Sequence, residues 1–239
     1  MVLNLIVPTC WQELTQSQLR YVFFLLSEGY SATVVQTHCL CRWSGLEIVS
    51  PEGDGYLVRH DFHLHHITAE QMAEVLSHIS WLTRFPNVPV RLTKIQGRPA
   101  LSADLQGLSL ESYLVLENLY QGYLTTTKSE LLSEAAVILY GKKMQLLPEE
   151  QLSVFYWIGS VKQYFARRWP HFFVAHGNTS ISGDMRTYLQ NQMDTQIRAL
   201  TKGDITKEKE VLSMDVHRAL TELDAQAREY EELKRTAKT

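Results

Sequence analysis

All seven prolines of this 239-residue chain lie at or before Pro170, and only Tyr188 and Tyr230, of 24 aromatic residues, lie beyond residue 179. Charge runs the other way. Residues 180–239 carry 21 of the 49 charged residues, leaving 28 for the first 179. A packed core needs bulky apolar side chains and turns, whereas a charged, proline-free segment with few aromatics suits exposed helix. The asymmetry predicts a mainly helical globular body with small β elements over 1–177 and a charged amphipathic helical arm over 178–239. The stretch Gly177-Asn178-Thr179-Ser180-Ile181-Ser182-Gly183 is the natural joint, because Gly, Asn and Ser favour turns.

Composition removes several classes. At 45% hydrophobic and 21% charged, the chain is ordinary globular material rather than wholly disordered. A formal net charge of -3 argues against a strongly basic nucleic-acid binder. No apolar run approaches the roughly 18 residues needed to cross a bilayer. The opening Met1-Val2-Leu3-Asn4-Leu5-Ile6-Val7-Pro8 lacks the basic region of a signal peptide. Three cysteines, Cys10, Cys39 and Cys41, fit a reducing compartment better than a disulfide framework, so a cytoplasmic protein without membrane contact is expected.

Within the body, Thr15-Gln16-Ser17-Gln18 has the form of a capping box, followed by Leu19, Val22, Phe23 and Leu26 at helical spacing. Ser31 can cap a second helix that closes near Gly45. Leu46–Val49 and Tyr56–Val58 flank Pro51-Glu52-Gly53-Asp54-Gly55 and read as a hairpin. A second capping box, Thr68-Ala69-Glu70-Gln71, opens a helix through Met72, Val75, Leu76, Ile79 and Leu82. Val90–Ile95 alternates like a short strand. Helices follow from about Ser109 to Tyr123, from Lys128 to Tyr140 and from Pro148 to Trp169. The fold class expected is mainly α with one or two small β-hairpins, a compact helical body plus a C-terminal helical arm.

Chemistry-bearing residues cluster most densely in His60-Asp61-Phe62-His63-Leu64-His65-His66. If the segment is extended, Asp61, His63 and His65 share one face and form a candidate ligand set for zinc or iron. The competing reading is a strand with a wet His-bearing face and a buried Phe62/Leu64 face. Cys39 and Cys41 lack a second cysteine pair and read as buried, inert thiols. Glu117 and Asn118, amid tyrosines, either line a polar pocket or form the wet edge of an amphipathic helix, and the edge is favoured. Lys162, Arg167, Arg168 and His171, interleaved with Tyr164, Phe165 and Trp169, suggest a basic-aromatic patch, although helix-dipole complementarity explains the charges more simply. Phosphate-loop, metalloprotease and hydrolase signatures are absent, which lowers the odds of catalysis, and no cofactor is expected.

The arm carries the clearest pattern. Met185, Leu189, Met193, Ile197 and Leu200 form one amphipathic stripe, which Gly203 interrupts. Then Leu212, Val216, Ala219, Leu223, Gln226, Tyr230 and Leu233 alternate four and three apart, a coiled-coil-like seam of about three heptads. Periodicity identifies a buried face without naming what covers it, so docking on the body and contact with another chain both remain open. Leu212, Val216, Leu223, Tyr230 and Leu233 are the candidate partner-binding residues.

The runs Tyr120-Gln121-Gly122-Tyr123-Leu124 and Phe155-Tyr156-Trp157-Ile158, the segment from Ala199 to Glu208, and the opening Trp11-Gln12-Glu13-Leu14-Thr15 resemble uncharacterised proteins of Bacteroidetes phages and prophages. The resemblance carries no residue roles across. It implies a phage context, where such proteins often serve particle structure or tail assembly. The reading is a non-catalytic interaction or assembly protein that uses its arm on another protein or on itself, with incorporation in a phage particle as an expectation. The alternatives are a metal-dependent enzyme centred on Asp61, His63 and His65, and a nucleic-acid-binding accessory protein using the basic-aromatic end near Arg167.

Overall fold

Thr15 accepts the Gln18 amide through its hydroxyl, and the Gln18 side chain returns to the Thr15 amide, so the first long helix begins on a complete capping box. The computed structural model describes residues 5–176 and 185–237, with the side chains of 174–176 and 185–192 left out. It is mainly helical, 63%, with a three-stranded antiparallel sheet, a two-stranded hairpin and a long C-terminal helix. The chain forms two compact units, one of residues 1–86 with 146–153 and one of residues 87–145 with 154–239.

In the first unit, α1 (Gln16–Ser27) and α2 (Ala32–Ser44) are separated by Gly29, which takes the left-handed conformation. Ser31 caps α2 by accepting the Val34 amide. Leu19, Val22 and Phe23 of α1 and Val35, Cys39 and Leu40 of α2 are buried. Trp11 stacks on Phe23 at 6.3 Å and meets Trp81 edge-on at 5.5 Å. A meander follows: β1 (Glu47–Glu52), β2 (Gly55–His60) and β3 (His63–Thr68), all antiparallel, with a bulge between Ile48 and Ser50. Gly55 is required where it stands, because a Cβ there would lie 2.0 Å from the Ile67 carbonyl oxygen. The Thr68 capping box opens α3 (Ala69–Ser77), a shorter helix than the apolar spacing predicts. Ile79 and Leu82 are still buried, but in and beside a 3₁₀ turn over Ser80–Thr83.

In the second unit, the alternation of Val90–Ile95 yields only a two-residue strand, β4 (Lys94–Ile95), paired with β5 (Arg98–Pro99). Backbone groups upstream are claimed by side chains instead. Ser160 Oγ accepts the Val90 amide, and Tyr140 Oη donates to the Leu92 carbonyl at 2.8 Å. Then come α4 (Leu110–Thr126), capped by Ser109, and α5 (Ser129–Tyr140), ended by Gly141 at φ +73°. The helix α6 (Pro148–Arg168) gives its residues from Val154 onward to this unit. Val154, Trp157, Ile158, Val161 and Phe165 are all buried, the wide apolar circumference of an interior helix. Pro170 does not merely end α6. It starts a further short helix, α7 (Pro170–His176), as a proline at the first helical position can.

The expected joint at 177–183 lies outside the described residues. Beyond it run α8 (Met185–Thr201), α9 (Glu208–Ser213) and α10 (Val216–Thr236). Gly203 takes the left-handed conformation after α8, and Asp204 caps the next turn by accepting the Thr206 amide.

Candidate functional site

The four-three seam of the arm is not one helix. Between Leu212 and Val216 the chain leaves α9, and residues 214–216 pair with 108–110: Leu110 donates to the Met214 carbonyl at 2.8 Å and Val216 to the Leu108 carbonyl at 2.9 Å. Asp215 then caps α10, one carboxylate oxygen accepting the amides of His217 and Arg218. Its other oxygen accepts the Gly107 amide at 2.7 Å.

From that anchor α10 lies on its own unit. Val216, Ala219, Leu220 and Leu223 are buried. His217 Nε2 donates to the Asp104 backbone carbonyl at 2.7 Å, with its ring edge-on to Phe165 and Trp169. Trp169 Nε1 donates to Thr221 Oγ1, the Phe172 amide to Asp224, and His171 pairs with Glu231 at 3.2 Å. The opposite side of the last turns has no such cover. Leu223 is 5% exposed, whereas Tyr230 and Leu233, on the same stripe, are 59% and 68% exposed. Leu212, on α9, is half-buried. The structure therefore gathers Val216 and Leu223 into the unit and leaves Tyr230 and Leu233 in solvent.

The histidine segment is shaped by its turn. Asp61 and Phe62 both adopt positive φ, 47° and 67°, and form the two-residue connection between β2 and β3. That tight turn interrupts the alternation placing Asp61 with His63 and His65. His60 pairs directly with His63, and Val58 with His65, so those three histidines share a sheet face. Asp61 is exposed at the turn with its carboxylate 3.5 Å from His60 Nδ1. The His63 and His65 rings are 6.5 Å apart. Among the described residues no three His, Cys, Asp or Glu side chains are arranged to hold a metal ion.

Other candidates are occupied by structure. Burial pushes the Cys39 thiol up to about 12 against the opposing charge of Arg42, and burial raises Cys41 as well. Glu117 forms an ion pair with Lys162 and accepts from Gln121, while its Oε2 is buried with no hydrogen-bond partner. Burial, then the Glu117 charge, lifts the Tyr120 phenol to about 12. At the basic-aromatic end Lys162 pairs with Glu117, His171 with Glu231, and Arg168 donates to Tyr164 while lying over Trp169, whereas Arg167 is exposed. A concavity of about 610 Å³ beside α10 is lined by Leu200, Met214, Asp215, His217, Arg218, Thr221 and Glu222. Its Thr221 hydroxyl donates to the His217 carbonyl and its His217 is held by Asp104, so neither is poised as a nucleophile–base pair.

Sequence reasoning missed Asp215 as an anchor and Thr221 as a partner of Trp169. Neither has a sequence signal beyond a residue type suited to capping. Among known proteins, no family model, no curated protein and no solved structure matches this chain.

Proposed function

We propose that this chain is a non-catalytic interaction or assembly protein whose contact surface is the uncovered end of α10. The observation that carries the reading is the change of exposure along one stripe: the seam is buried from Val216 to Leu223 and then continues, with the same spacing, through Tyr230 and Leu233 in solvent. Apolar residues that extend a helical seam beyond its intramolecular cover are suited to a helix-on-helix contact with another chain. Cys39 is buried in the core, Asp61 is taken up in the β2–β3 turn, and Lys162, Arg168 and His171 are in internal pairs, which supports an interaction role over catalysis. The resemblance to uncharacterised proteins of Bacteroidetes phages and prophages supports particle or tail assembly as the setting, with the protein made in the cytoplasm. No helix of the described residues is long and apolar enough to cross a membrane.

Light scattering and affinity capture on the full chain and on Leu233→Glu test the reading. The expected result is a mass above the monomer or a stoichiometric protein partner, lost in Leu233→Glu while the melting transition stays in place. A monomer that captures nothing, or association indifferent to Leu233→Glu, overturns it.

A further inference from the structure

We propose that the surface of the second unit formed by the β4–β5 hairpin and the segment after α5 binds the phosphate backbone of duplex DNA, without reading its sequence. No residue of α10 belongs to it, so the proposal stands or falls independently of the assembly reading.

Two stretches of the sequence carry charge of one sign. Residues 87–103 hold Arg91, Lys94 and Arg98 and no acid, and residues 135–145 hold Lys142 and Lys143 and no acid. The fold joins the two. Leu101 donates its amide to the Leu139 carbonyl at 3.0 Å, and Gln96 Nε2 donates to the Gln145 carbonyl at 2.6 Å. The buried Tyr140 adds a third tie through its hydroxyl on the Leu92 carbonyl. The hairpin turns through Gln96 and Gly97, both at positive φ, and its Ile95 is fully buried, which fixes it to the unit. Lys94, Arg98, Lys142 and Lys143 are all exposed. Among the described residues, Arg98, Lys142 and Lys143 form no ion pair.

The net charge of -3 does not describe these residues. A bound polyanion feels the charges within about a Debye length, roughly 10 Å at 0.1 M salt, rather than the sum over the chain. The acids next in sequence are Asp104, which is turned to Ser102 Oγ and the Gln106 amide, and Glu134, more than a turn before the end of α5.

The class of partner follows from what accompanies the cations. A protein interface is built round an apolar centre, and none of the exposed residues in 93–99 and 141–145 is a large apolar one. A single strand is gripped by stacking its bases on aromatic rings, and the only aromatic residue of the two stretches, Tyr140, is buried. A stiff duplex, with one charge per about 1.7 Å of its axis, needs neither.

Fluorescence anisotropy of the full chain with a short mixed-sequence DNA duplex tests the proposal. Four phosphate contacts predict a dissociation constant on the order of micromolar at about 50 mM salt, weakening about fiftyfold by about 150 mM. Lys142→Gln/Lys143→Gln should halve the slope of that salt dependence and weaken binding about a hundredfold at about 50 mM salt. Arg228→Gln/Lys234→Gln, the same loss of charge on α10, should bind like the wild type, and both variants should melt like it. A duplex of unrelated sequence should bind equally well. No binding at low salt, equal losses in the two double variants, or a single strand that binds more tightly than the duplex each overturn the proposal. Displacement of the duplex by polyglutamate at equal charge concentration would identify an acidic protein as the partner and overturn the assignment to DNA.

Discussion

Asp215 accepts the Gly107 amide at 2.7 Å with one carboxylate oxygen while the other caps α10, so a single side chain ties the C-terminal helix to the loop before α4. Loss of a cap costs about 1 kcal/mol, and stranding a second donor adds about 1–3 kcal/mol. Asp215→Ala should therefore destabilise the protein by about 2–4 kcal/mol in denaturant titration. Asp215→Asn, which keeps an acceptor, should recover part of that loss. No measurable change in either variant would mean that water replaces both bonds.

Leu223 and Leu233 share a stripe but not a fate. Leu223→Glu places a carboxylate among buried side chains and forfeits about 1.5–3 kcal/mol of apolar burial before the cost of the charge. A melting temperature lower by roughly 3–12 °C follows for a chain of this size. Leu233→Glu should leave the melt unchanged. Equal effects at both positions would contradict the exposure difference between them.

The β2–β3 connection is strained. Asp61 and Phe62 both sit at positive φ, a conformation that costs an L-residue about 1–2 kcal/mol and that Asn-Gly adopts with ease. Phe62 is fully exposed, so its removal sacrifices no packing. The double substitution Asp61→Asn/Phe62→Gly should raise stability by about 1–2 kcal/mol, read from thermal denaturation. A loss of stability would show that Phe62 makes a contact that compensates for its backbone.

Cys39 should be chemically silent in the native state. With its thiol pushed up to about 12, the thiolate fraction at pH 8 is on the order of 10⁻⁴. Iodoacetamide at that pH should leave Cys39 unmodified in the folded protein and alkylate it fully after guanidinium, as mass spectrometry would record. Rapid native labelling would mean that α1 and α2 open far more readily than their buried core implies.

Local chemistry was the legible part of this chain. The Thr15 and Thr68 capping boxes, the Ser31 cap and the Gly45 and Gly141 stops depend on residues within a turn of one another, and each stands where its motif predicts. The helical class follows from them and from the apolar spacing of α1, α4, α5 and α6. What sequence spacing could not supply was tertiary competition for backbone groups. Val90 looks like the start of a strand, yet its amide goes to Ser160 on α6. The Leu212–Val216 step keeps its four-residue spacing through a helix break, because the break is made by pairing with residues 108–110. The Asp61-Phe62 turn lacks the Asn-Gly signature that would reveal it, so residue alternation alone does not show that His60 lies opposite His63. At the candidate site the seam itself was legible. Where its intramolecular cover ends was not, since Leu223 and Tyr230 have equivalent positions in the repeat.

Amide hydrogen exchange along α10 at low and high protein concentration tests the central claim most directly, because it reads the uncovered turns themselves. The account predicts slow, concentration-independent exchange around Val216–Leu223, and protection over 226–236 that rises with concentration and disappears in Leu233→Glu. Exchange over 226–236 that is the same at every concentration and in both proteins would contradict it.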